Sequence, residues 1–370
     1  MMHFACICFV SFTSSAWSAL QQFCSRWQGS RPVLGIAYHC SWALIVVACV
    51  LWGSLFSICK CRSDISLPAS VILGARIQLE NGCCRPEIIF DDFFARPLVH
   101  TSAVDLYVCG FPCQPFSQAG TRSGFMGAST NGSGLVFFEV VRYIKKRNPR
   151  VFILENVEGL ETAQNGECFL LVLRTLFDLA HYNIYWDLLN TKHHGIPHNR
   201  PRYYFVGIRR RDDRGSFSFP STSPMLALEL LLDQRLHRPM SLDLPSQRTA
   251  VENVESLCRQ VRAGGSDPFE DPWVFGCDKS VGAAMYNCSP CLTRARFAGH
   301  WLSSRGRRMS LREMARLQGV PDDFPVTVSE TEFRRQLGNM MSVNVLERIL
   351  CSLLPAAGLR SEDVLVDRYA

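Results

Sequence analysis

From Val104 to Ile208 the chain alternates short apolar runs with stretches whose apolar residues recur at helical spacing. Val104–Gly110 (VDLYVCG) is apolar on both faces and reads as a buried strand. Leu135–Lys146 has helical periodicity and ends in Lys and Arg, cations that suit the negative end of a helix dipole. Arg150–Val157 predicts the next strand and Glu167–His181 the next amphipathic helix, with further strands at Tyr182–Asn190 and Arg202–Ile208. Strands apolar on both faces and separated by helices imply an α/β fold, a doubly wound, mostly parallel sheet covered on both sides. Ligands of such sheets bind at the carboxyl ends of the strands.

The pattern changes on either side of this region. Arg214–Asn287 is rich in Pro, Ser and short apolar pieces with little periodicity, and predicts a small separate lobe over 214–290. Order returns with Ser310-Leu-Arg-Glu313, a capping-box signature opening a helix that Gly319 closes, and with Ser342–Leu354, a final amphipathic helix. Before the alternating region, Trp42–Cys59 is an uncharged apolar run at the lower edge of membrane-spanning length. A buried or aberrant segment is the favoured reading, and a membrane partner is not expected. Met1–Ala19 lacks the basic start of a signal peptide. The expected organisation is an atypical apolar segment over 1–60, a main domain over 61–213 and 291–355 interrupted by the lobe, and a tail over 356–370.

Charge adds a partner class. Lys and Arg exceed Asp and Glu by 39 to 33 in 370 residues, a formal charge of +6 that permits an anionic partner without demanding one. The distribution says more: basic residues gather at Arg142–Arg150, Arg200–Arg214 and Arg294–Arg316, and three such clusters favour a polyanion. The 17 cysteines have no repeating spacing and read as small buried hydrophobes in a reducing compartment. Only Cys288-Ser-Pro-Cys291 has the CxxC form, with no second pair to complete a metal site, so no metal is expected.

The candidate chemistry sits at two strand ends. Phe111-Pro112-Cys113-Gln114-Pro115-Phe116-Ser117 places a thiol on a Pro-rich turn after the first strand, and Glu155-Asn156-Val157 ends the next one. A nucleophile and a carboxylate at successive strand ends suggest attack on an electrophilic ring atom, assisted by an acid. The glycine-rich stretch Gln118–Gly134 has the composition of a closing loop.

These blocks, in order, resemble those of the DNA (cytosine-5) methyltransferase family over roughly residues 60–355. GFPCQPFS (110–117) is similar to the catalytic-loop block and ILENVEGL (153–160) to the block with the catalytic glutamate. GIPHNRPRYYFVGI (195–208) resembles the arginine-bearing block, LREMARLQGVPDDF (311–324) the block after the recognition lobe, and QLGNMMSVNV (336–345) the carboxyl-terminal block. The resemblance implies a class I S-adenosylmethionine-dependent methyltransferase fold, with methyl transfer to C5 of a cytosine flipped out of double-stranded DNA. It implies that Cys113 adds to C6, that Glu155 acts at N3, that Arg202 donates to O2, and that Arg200 supports the site. For S-adenosyl-L-methionine it implies Asp64, Asp92, Gly110, Pro112 and Asn339. A nuclear location is the expectation from reaction type.

Two departures keep alternatives open. His198 stands where the family usually has Gln, and no FxGxG-type loop precedes residue 60, where WALIVVACVLWGSLFSI stands instead. The alternatives are a catalytically impaired nucleic-acid-binding relative lacking the cofactor glycine loop, and a tRNA cytosine-C5 methyltransferase with RNA as partner.

Overall fold

The computed structural model describes residues 36–39, 77–80, 83–86, 104–112, 125, 135–235, 239, 242–279, 282–324, 326, 328–360 and 367–369. The described chain falls into two compact units. One holds the residues up to Leu189 with Pro201–Pro220 and Glu347–Asp367; the other holds Asn190–Arg200 and Ser221–Leu346.

The first unit is organised by a five-stranded sheet. Its strands are β1 (Ile36–His39), β4 (Leu106–Gly110), β5 (Val151–Val157), β6 (Tyr182–Asn190) and β7 (Pro201–Arg209), in the spatial order β1-β4-β5-β7-β6. A separate antiparallel pair is formed by β2 (Ile77–Glu80) and β3 (Cys83–Pro86). β1, β4 and β5 run parallel, and β7 reverses direction against β5. The central strands are buried on both faces, as their unbroken apolar runs predict: Leu106 to Cys109 and Val151 to Leu154 are all buried. The connections β4–α1–β5 and β5–α2–β6 supply the covering helices, α1 (Val136–Arg147) and α2 (Glu167–Phe177). Helix α1 buries Val136, Phe137, Val140, Val141, Tyr143 and Ile144, one stripe of a 3.6-residue repeat, and ends on the left-handed Asn148. Helix α2 stops at Phe177, earlier than the apolar spacing to His181 suggests, because the chain turns through Asp178–His181 into β6.

One glycine fixes how β5 and β7 fit. Gly207 pairs with Phe152, and a Cβ there would come 2.1 Å from the Phe152 ring. The aromatic ring therefore lies across the bare backbone of β7, and any side chain at 207 would push the strands apart.

The second unit has its own core. An antiparallel sheet of order β11-β10-β8-β9 is built from β8 (Trp273–Gly276), β9 (Ala283–Tyr286), β10 (Trp301–Leu302) and β11 (Arg307–Arg308). Helix α3 (Arg248–Ala263) buries Ala250, Val254, Leu257, Cys258 and Val261, which join Phe275, Cys277 and Trp301 in one apolar cluster. This helix lies within Arg214–Asn287, where little periodicity was expected; its i, i+4, i+7, i+8, i+11 stripe is regular but flanked by Pro- and Ser-rich sequence.

The next helix, α4 (Leu311–Arg316), opens with the capping box the sequence announces. Ser310 accepts from the Glu313 N–H, and the Glu313 carboxylate accepts from the Ser310 N–H. Fully buried Glu313 also takes both arms of the Arg307 guanidinium at 2.9 and 3.0 Å. Helices α5 (Glu330–Asn339) and α6 (Val343–Ala356) complete the chain's described elements. Among the described residues no helix is long and apolar enough to cross a membrane; Trp42–Cys59 lies outside them.

Candidate active site

The sheet register brings the carboxyl ends of β4 and β5 to the amino end of β7. Gly110 is level with Glu155, Glu155 with Tyr204, and Val157 with Arg202. The Glu155 Oε1 lies 3.0 Å from the Arg202 Nε, with side-chain exposures of 9% and 12%. A second Arg202 nitrogen, Nη1, donates to the Pro201 carbonyl at 2.7 Å. An acid and a guanidinium are thus held together at the rim of the sheet with little water around them, where charge–charge and hydrogen-bond interactions are strengthened.

The next residue along β5 ties in the strand that leads to the thiol. Buried Asn156 donates from Nδ2 to the Phe111 carbonyl at 3.1 Å, while its Oδ1 accepts from the Val157 N–H at 2.8 Å. Phe111 packs its ring on Phe137 of α1 at 5.1 Å. Of the sequence-predicted residues on this side, Gly110, Pro112, Glu155 and Arg202 are described. Cys113, Asp64 and Asp92 lie outside the described residues, as does the loop Gln118–Gly134 except for Phe125. The Phe125 side chain is buried against Phe137 and Phe138.

Arg200 has a different setting, inside the second unit. Its guanidinium donates to the carbonyls of Leu292 at 3.0 Å, Gly338 at 3.3 Å and Met340 at 2.6 Å, and its side chain is buried. Two histidines close on the same peptide segment. Fully buried His198 accepts from the Leu292 N–H at Nε2, 3.0 Å, and its Nδ1 lies 3.0 Å from the Leu317 carbonyl, so the neutral ring with its proton on Nδ1 satisfies both contacts. That donor–acceptor pair is also what a Gln side chain offers, which accounts physically for His at this position. His300 sits 3.4 Å from the Cys291 carbonyl, and burial pushes its imidazole down to about 4 from an ordinary 6.5. Gly338 lies directly on the Thr293–Arg294 backbone, where a Cβ would come 2.3 Å from Arg294 N. Asn339 ends α5 immediately after it, half-buried.

Sequence reasoning gave no part to Asn156, and none to His300. The first stands in the quoted Glu-Asn-Val triplet, so a buried Asn one step from a candidate acid was the available signal. His300, in Gly-His-Trp, carries no local signal.

The first unit thus sets an acid–guanidinium pair at the rim of its sheet, and the comparisons give the family. Residues 91–354 match the family described as C-5 cytosine-specific DNA methylase. The Type II methyltransferase M.NgoBI of Neisseria gonorrhoeae is 35% identical over 258 residues, covering 68% of this chain and 74% of that one. The Type II methyltransferase M.HaeII of Haemophilus aegyptius is 31% identical over 261 residues, 70% of this chain and 77% of that one. Among solved structures, the Entamoeba histolytica methyltransferase EhMeth is similar at 15% identity and a TM-score of 0.45, over 72% of this chain and 83% of that one. The chain belongs to the C-5 cytosine-specific DNA methylase family, whose members take their methyl group from S-adenosylmethionine.

Proposed function

We propose that the protein methylates C5 of cytosine in double-stranded DNA, with the target base turned out of the helix. The observation that carries this reading is the Glu155–Arg202 pair at the rim of the sheet, level with the end of the strand from which the Phe-Pro-Cys run departs.

Each residue then has a chemical part. Cytosine C5 is a poor nucleophile until something adds at C6. The Cys113 thiolate forms a bond to C6, and the displaced electron pair moves into the ring, leaving C5 enamine-like. Glu155 holds a proton at N3 and Arg202 donates to O2, so the charge pushed into the ring meets donors already in place. Bound S-adenosylmethionine supplies a sulfonium-activated methyl group for C5. Loss of the C5 proton to a base then expels the Cys113 sulfur and restores the aromatic ring. A duplex hides C5 and C6 in the stack, which is why the base leaves it.

Gly110 and Pro112, the members of the cofactor set described in the first unit, are compatible with that group. Gly110 ends β4 beside parallel β1, at the edge where open α/β sheets receive ligands, and it brings no side chain into that edge. Pro112 follows it. We assign Arg200 a positioning part, since its donors are committed to the carbonyls around Gly338 and Met340. Sequence reading belongs to the 214–290 region.

Labelled S-adenosylmethionine and duplex DNA test the reading directly. Label is expected at cytosine C5, and Cys113→Ser should abolish both transfer and the covalent adduct on 5-fluorocytosine DNA. Transfer to tRNA with none to DNA would overturn DNA as the substrate.

A further inference from the structure

We infer that Asn156 is a positioning residue for the nucleophile: its side-chain amide fixes the main chain at Phe111, two residues ahead of Cys113, to the strand that carries Glu155. The inference rests on the function proposed above.

Its basis is how the sheet ends. β4 and β5 keep their parallel register through Gly110 and Glu155, and the β4 ladder stops there while β5 continues to Val157. At the next position the Phe111 carbonyl has left the ladder, and Pro112 has no N–H with which to rejoin it. The Asn156 amide takes over, donating to that carbonyl at 3.1 Å from a fully buried side chain. Its own oxygen is held by the Val157 N–H at 2.8 Å, so the amide cannot rotate without breaking both bonds. The ring of Phe111, packed on Phe137, secures the same point from the helix side. The point where the chain leaves the sheet, at Phe111, is thereby held by an amide that neighbours the acid. A single dipeptide of β5, Glu155-Asn156, ties the starting point of the nucleophile's turn to the acid's position.

The experiment follows a single turnover of adduct formation between the full chain and duplex DNA in which 5-fluorocytosine replaces cytosine throughout, with S-adenosylmethionine present. Three variants are compared. Asn156→Asp keeps the acceptor for Val157 and loses the donor for Phe111, Asn156→Ala loses both, and Asn156→Ser retains a short donor. Adduct formation is expected to slow about 10–100-fold in the Asp and Ala variants and less in the Ser variant, with S-adenosylmethionine affinity within about twofold of wild type. A wild-type protein that forms no adduct overturns the functional reading itself. A wild-type adduct with all variants within about twofold of its rate overturns the positioning role alone. Cofactor affinity that falls in step with the adduct rate, or loss of the fold in all three variants, assigns Asn156 to general stability and also overturns it.

Discussion

Arg200 and Arg202 differ by two positions in one Arg-Pro-Arg triplet, yet they do opposite things. Arg202 faces a carboxylate, Glu155, at the rim of the first unit's sheet. Arg200 donates to main-chain carbonyls in the second unit, those of Leu292, Gly338 and Met340, with the Cys291 sulfur beside them at 3.4 Å. The same guanidinium is in one case half of an acid–base pair and in the other a clamp that joins segments distant in sequence. Arg202 lies within β7, whereas Arg200 immediately precedes that strand, so a period of two along the strand does not relate their partners. Residue type alone therefore does not assign an arginine to chemistry; the groups that answer its donors do.

The sharpest way to break the comparison is to remove the acid. Glu155→Gln keeps the shape and loses the proton and the charge, and adduct formation on 5-fluorocytosine DNA should slow by about 10²–10⁴-fold. The fold should survive, as thermal unfolding will show.

Arg200→Met should do the reverse. Buried carbonyls lose their donors, and urea unfolding should show a loss of about 3–5 kcal/mol. An Arg200→Met protein as stable as wild type but inactive would place Arg200 with Arg202 and remove the distinction.

His300 gives a pH test of the clamp. Its folded value near 4 lies below the ordinary 6.5, so the unfolded chain binds the extra proton first. The stability it contributes is complete above pH 6.5 and is lost as pH falls toward 4, a loss of about 3 kcal/mol. Unfolding measured across that window should show a shallower acid decline in His300→Gln.

The smallest effect belongs to His198→Gln, which keeps one donor and one acceptor and should cost under about 1 kcal/mol. His198→Ala strands the Leu292 N–H and the Leu317 carbonyl and should cost about 1–3 kcal/mol in the same denaturation.

Much of the fold is legible locally. The strand runs 104–110 and 150–157 and the helical stripe of 135–146 match β4, β5 and α1 within two residues at each end, because burial on both faces or on one stripe leaves a periodic trace. The Ser310 capping box is equally local. Helix α3 was legible too, but its stripe was hidden by its flanks. The reversal of β7 against β5 was not, since a strand buried on both faces looks the same in either direction.

The sequence by itself determined strands β4 to β7 of the sheet, the order of the chemical blocks and the family, but not β1. These depend on residue type and spacing, which the chain carries openly. Only the tertiary structure decided that Glu155 meets Arg202, that Arg200 is spent on carbonyls, and that Asn156 holds Phe111. Those assignments depend on which distant groups converge, and convergence is set by strand register and packing rather than by any local pattern.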